Sequence, residues 1–202
     1  MQRRSVLLGA AALLIAGEAA ASTAITADDI VLGDANAPVT LIEYASTTCP
    51  HCAAFHANVW EALHARYIAA GRVRFVFREM PTSPEAIALA GFQIARCRNA
   101  SADQYIARVG ELFRQQQAIF TETSMEGVRR RLIAIGEGFG LSAAEVNAAI
   151  TDHEGAARVR RIVEGSRAFN ITATPAFVID GERYDGPLSG RDLFAALDAA
   201  GR

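Results

Sequence analysis

The stretch VTLIEYASTTCPHCAAFH, residues 39–56, decides how the chain reads. Residues 39–45 form a short run rich in β-branched and apolar side chains, the pattern of a buried strand. From Cys52 onward, Phe55, Val59 and Leu63 recur at helical steps, so a helix follows. Cys49-Pro50-His51-Cys52 therefore sits where a strand hands over to a helix. The second cysteine lies one turn beyond the first, so the two sulfurs can bond with little backbone movement. Cys49 stands at the helix N-terminus, where unpaired N–H groups and the positive end of the macrodipole favour a thiolate. That makes Cys49 the nucleophile. Pro50 suits the first helical position, because its φ is preset and its missing N–H costs nothing there. His51, when protonated, adds a cation beside the sulfur. Stabilising the thiolate lowers the free energy of the reduced form, so such a pair gives up its disulfide readily and acts as an oxidant.

The chain has 202 residues, 51% hydrophobic and 21% charged, which suits one domain with a sizeable insertion and a full core. Arg3 and Arg4 open it, an apolar run follows from Val6 to Ala16, and Ala19-Ala20-Ala21 come next. These are the three parts of a secretory signal, with cleavage expected after Ala21. The apolar run is too short to span a bilayer. Arg3-Arg4-Ser5-Val6-Leu7 also fits a twin-arginine signal, so both Sec and twin-arginine export stay open. Losing Arg3, Arg4 and Glu18 takes the formal charge from -2 to -3, and every basic residue is an arginine. Without a basic stripe interleaved with aromatics, nucleic acid is not an expected partner. Arg129-Arg130-Arg131 and Arg158, Arg160 and Arg161 read as solvated helix faces.

An exported protein meets an oxidising compartment, where paired cysteines usually form structural bridges. A two-residue spacing closes only a tiny loop and restrains little of the unfolded chain, so Cys49–Cys52 is a poor staple and a plausible reagent. A metal site would need two more ligands, and only His51, His56 and distant Cys97 offer themselves. Haem attachment would need His at position 53, which is Ala.

Beyond the active stretch, residues 72–79 alternate basic and apolar side chains and read as a second strand, and Pro81 and Pro84 end it. Ser83 with Pro84 is expected to cap a helix to about Arg98, and Ser101 with Gln104 a helix to about Gln117. Further helices are expected from Ser124 to Gly138, from Ser142 to Asp152 and from His153 to Phe169, with Asn170 as a C-cap. Residues 176–179 return to β character, Asp180-Gly181 turns, a short strand follows near Arg183 and Tyr184, and a helix capped by Ser189 closes the pattern. The fold class is α/β: a sheet with helices on its faces, interrupted by a helical insertion over about 83–169.

At this point the chain resembles a known family. Cys49-Pro50-His51-Cys52 after a strand, Thr174-Pro175 just before another, and a helical block between them are similar to the DsbA-like branch of the thioredoxin superfamily. The resemblance runs from about Asp28 to Ala200 and implies a thioredoxin-like fold with a helical insertion domain over residues 22–202. It implies that Cys49 attacks, that Cys52 is a buried resolving thiol, and that Pro175 is a cis-proline whose neighbour Thr174 offers backbone to an extended substrate strand. Glu43 stands where this family often carries a buried acid. Strand alternation puts it on one face with Leu41 and Ala45, so it points inward and can relay protons for Cys52. Arg74 is a candidate neighbour of that acid.

The remaining residues read more plainly. Cys97 shares a helical face with Ile87, Ala90 and Ile94 and is expected to be a buried, inert thiol. His56 and His64 read as surface or packing residues, and Trp60 as packing between helix and insertion. The expected function is a periplasmic or otherwise exported thiol-disulfide oxidoreductase. It would oxidise cysteine pairs of reduced secreted proteins, as a monomer, with a membrane protein reoxidising it and no cofactor beyond its own disulfide. A reductase or isomerase is the alternative within this chemistry. A peptide-binding chaperone or metal-carrying protein is the alternative outside it.

Overall fold

The computed structural model describes residues 24–202, and the leader read at residues 1–21 lies outside them. Strand β2 (Val39–Ala45) is the centre of a five-stranded sheet in the order β1-β3-β2-β4-β5. Its partners are β1 (Ile30–Leu32), β3 (Val73–Glu79), β4 (Ala176–Ile179) and β5 (Glu182–Tyr184). β2 and β3 run parallel, with Leu41 opposite Phe75 and Glu43 opposite Phe77, while every other pair is antiparallel. A parallel pair needs a crossover, and a helical run over residues 50–68, here α1, supplies it.

Both faces of β2 and β3 are covered, so nearly all of their residues are buried, the charged ones included. Leu41, Ala45, Phe75 and Phe77 belong to the larger core with α1. Ile42, Tyr44, Val76 and Val178 belong to a smaller one with Ile162, Phe169 and Ile171. The run α1 is α-helical at Pro50–Phe55 and Glu61–Leu63 and π-helical at His56–Trp60 and His64–Ile68. Such widened turns occur frequently at functional sites.

Between β3 and β4 stand α2 (Glu85–Arg96), α3 (Ala102–Arg114), α4 (Gln116–Phe120), α5 (Met125–Gly138), α6 (Ala143–Ile150) and α7 (His153–Ser166). The last described helix is α8 (Gly190–Ala200). Ser101 with Gln104 and Ser142 with Glu145 close reciprocal capping boxes, and Asn170 takes the left-handed conformation that ends the α7 region.

Three local expectations change, and one strand was not expected at all. The three-residue β1 carries too short a pattern to read, and it forms because it pairs with β3. Ser83 makes no cap: the Ser83–Pro84 bond is cis and Pro84 itself holds the N-cap position of α2. That helix stops at Arg96, because Arg98 and Asn99 have φ of 58° and 51°. The helix begun at Ala102 breaks at Gln115, so that Gln116 opens a separate short helix.

Arg158 is the residue for which a solvated face was the wrong expectation. Glu79, fully buried at the end of β3, accepts from Arg96 Nε at 2.7 Å and from the Tyr105 hydroxyl at 2.8 Å. Arg158 Nε lies 3.6 Å from its other oxygen, with a side chain only 17% exposed. A buried carboxylate needs such partners, and here they come from α2, α3 and α7, tying the helical block to the sheet.

Candidate active site

The loop between β2 and α1 is polar and yet buried, so its groups must be satisfied internally. Ser46 Oγ and Thr48 Oγ1 share a hydrogen bond of 2.9 Å, and Thr82 N–H donates to Ser46 Oγ at 3.0 Å. Thr47 Oγ1 donates to Ala88 O of α2 at 3.1 Å. From α4, the buried Gln116 amide donates to Thr47 O at 2.7 Å and to Cys49 O at 3.0 Å. The segment that presents the first cysteine is thus fixed from both the sheet and the helical block.

Cys49 is the N-cap residue of α1, with Pro50 in the first turn. Its Sγ takes the place that a Ser or Thr oxygen usually fills, accepting from the Cys52 N–H at 3.3 Å. The sulfur also lies 3.2 Å from Thr174 O, beside a Thr174–Pro175 bond that is cis. Both cysteines are free thiols here. The Cys49 pKa is drawn down to about 5, first by the hydrogen bond from the Cys52 thiol, then by Thr174 and by the N–H groups of Cys52 and His51; burial opposes the shift. Cys52, wholly enclosed, is pushed far the other way by burial, by its bond to Cys49 and by the charges of Cys49 and Glu43. Two chemically identical side chains are thereby separated into an anion that leaves easily and a thiol that holds its proton.

His51 also acts on the site through its main chain. Its imidazole is exposed and has no hydrogen-bond partner among the described residues, and its backbone N–H is what acts on the Cys49 sulfur.

Glu43 is fully buried on the α1 side of β2. Its two oxygens lie 3.1 and 3.2 Å from His56 Nε2, and no contact with Arg74 accompanies them. Strand parity explains this: Arg74 stands opposite Thr40, on the other face of the sheet from Glu43. The His56 imidazole, 5% exposed, stacks on Trp60 at 5.1 Å and meets Phe55, Phe77 and Phe113 edge-on or tilted. His56 and Gln116 were missed by sequence reasoning. The four-residue step from Cys52 to His56 is visible in the sequence, but the partnership with a strand residue is not. Cys97 is less enclosed than a core thiol, since it is the C-cap of α2, with Sγ 3.6 Å from Gln93 O and a pKa raised by burial. No cluster of three or more His, Cys, Asp or Glu side chains suited to a metal ion occurs among the described residues.

Comparison with known proteins agrees with this architecture. The chain is 25% identical over 178 residues to a Rickettsia bellii protein whose name provisionally assigns it as a protein-disulfide oxidoreductase, covering 86% of this chain and 64% of that one. It is 30% identical over 176 residues to a Na(+)/H(+) antiporter NhaA of Herminiimonas arsenicoxydans, again covering 86% of this chain but only 26% of the antiporter. The chain thus spans less than two thirds of the length of these relatives. The crystal structure of Wolbachia pipientis alpha-DsbA1 superposes with a TM-score of 0.76 at 23% identity, over 89% of this chain and 94% of that one. The thioredoxin family model matches residues 25–199, and the chain belongs to that family.

Proposed function

We propose that this protein is an exported thiol-disulfide oxidoreductase that oxidises cysteine pairs of other exported proteins. The observation that carries the reading is the opposed pair: a Cys49 sulfur ionising at about 5 beside a Cys52 thiol that keeps its proton. Starting from the oxidised pair, a client thiolate attacks Cys49 Sγ. The Cys49–Cys52 bond breaks, its electron pair leaves on Cys52 Sγ, and that sulfur takes up a proton. A second client thiolate then attacks the client sulfur of the mixed disulfide, and Cys49 leaves as a thiolate. A low leaving-group pKa makes this last departure fast and favours oxidation of the client. Thr174, whose carbonyl lies 3.2 Å from the Cys49 sulfur, is placed to pair main chain with an extended client strand, a contact indifferent to client sequence.

Clients, a membrane protein that reoxidises the pair, passage through a Sec or twin-arginine route and a monomeric state complete the proposal. A reductase or isomerase would use the same sulfurs at a lower potential. A chaperone or metal carrier would bind in the same place without turnover. Equilibrating the purified protein in glutathione redox buffers separates them. A reversible disulfide more oxidising than about -200 mV supports the oxidant, since superfamily members range from about -270 to about -120 mV. A potential near the lower end makes it a reductase, and no reversible disulfide sinks all redox readings. Cys52→Ala is expected to trap mixed disulfides when offered disulfide-bonded client peptides, the Cys49 thiolate attacking one client sulfur while the other leaves as a thiolate, and Cys49→Ala to form none.

A further inference from the structure

The exchange chemistry demands a proton at a sulfur that has no contact with water. Cys52 is 0% exposed, and when it departs from Cys49 as a thiolate it must collect one proton, or release one in the reverse direction. Glu43, equally enclosed, is the carboxylate whose charge acts on Cys52. A sealed carboxylate cannot refill from solvent by itself. His56 is the group between Glu43 and the outside: its Nε2 lies 3.1 and 3.2 Å from the two Glu43 oxygens. Its ring also lies on the wall of a groove of about 860 Å³ between α1 and α3. Helix periodicity sets this up, since His56 is four residues past Cys52 and so on the same side of α1.

We infer that His56 is the positioning and relay residue of this site, acting through Glu43 to carry the Cys52 proton between the enclosed disulfide and the groove. The inference rests on the disulfide-exchange reading. In the forward step the bond electrons settle on Cys52 Sγ, the proton passes to it from the Glu43–His56 pair, and water in the groove restores the proton to the imidazole. Nothing is consumed beyond what client oxidation supplies. The groups facing His56 are few: Glu43 from β2, Glu61 and His64 from its own helical run, and Asp103 and Arg114 from α3 across the groove. Phe77 and Phe113, which also touch the ring, are uncharged. A neutral amide at position 56 keeps a donor for Glu43 and most of the packing but cannot pass a proton through.

The test follows reduction of the oxidised protein by dithiothreitol, with alkylation to stop the reaction, from pH 5 to 9 in light and heavy water. For His56→Gln the rate near neutrality is expected to fall about tenfold to a hundredfold, at or below the lower range of general acid–base assistance. The solvent isotope effect should rise, the pH profile should lose its imidazole limb, and the Cys49 thiolate transition at 240 nm should stay in place. Should the variant not fold, the wild-type His56 ring can be titrated by NMR in both redox states. Midpoints that differ between oxidised and reduced protein support the relay. Identical rates, profiles and isotope effects in the variant, or identical titrations in the two states, overturn it. Failure of the underlying reading looks different: the wild type itself would form no reversible disulfide.

Discussion

At pH 7 the reduced pair carries one proton rather than two, because Cys49 ionises at about 5 while Cys52 stays neutral. Two consequences can be measured. Thiolate absorbance at 240 nm is expected to rise through a transition near 5 in the wild type, with none below 8 in Cys49→Ser. Between about 5 and 9, reduction then takes up two electrons and one proton. The potential should therefore fall by about 30 mV per pH unit, against about 59 mV per unit below 5, where both sulfurs bind protons. A uniform slope of about 59 mV across neutrality would mean that Cys49 is an ordinary thiol. The cause of the shift is local and hydrogen-bonded, led by the Cys52 thiol itself, so Cys52→Ala should move the Cys49 transition upward.

At the scale of elements, the site is a junction of β2, α1, the Thr174 loop and two helices of the block. Gly91 shows how tightly α2 approaches: a Cβ there would stand 2.7 Å from Thr47 Oγ1, and that oxygen is held by Ala88 O. Gly91→Ala is expected to cost about 1–3 kcal/mol by overpacking and to slow exchange by shifting the loop, as denaturant titration and a peptide oxidation assay would record. Gly110→Ala, whose nearest neighbour at 3.7 Å is the end of the Arg114 side chain, should cost nothing by packing and serves as the control. The same junction marks how far the sequence can be read. Glu43 was legible as inward-facing, because alternation with Leu41 and Ala45 is a property of one strand. Its partner was not, because pairing with His56 depends on how α1 lies across β2, and a histidine on a helix face reads as packing. Gln116 was further out of reach, 67 residues from Cys49, and nothing local distinguishes it from Gln115 or Gln117. The helix break that turns it inward is set by the loop carbonyls it satisfies. Periodicity and caps thus supplied the elements, and contacts between elements supplied the rest.

For the whole molecule, the lowered Cys49 pKa is a contribution to folding. An unfolded thiol ionises near 8.5, so a folded one at about 5 adds stability that is fully present above the unfolded value and is lost as pH falls toward 5. Cys52 has the opposite sign, because the unfolded chain ionises above about 8.5 while the folded thiol stays neutral. The reduced protein should therefore gain on the oxidised one by about 1.4 kcal/mol per pH unit from about 5 to about 8, and lose it again at a similar slope above about 8.5, where the unfolded chain has given up both thiol protons and folded Cys52 keeps its own. Guanidinium unfolding of both forms across that range checks this, and a gap independent of pH would contradict it. The Gln116 amide, finally, bears on inheritance and engineering. Its two bonds make a helix from the insertion part of the wall that holds Cys49. A CPHC loop grafted onto a thioredoxin scaffold without this block would carry the cysteines across but leave two carbonyls bare and the first sulfur unplaced, so motif and insertion are transferable only together.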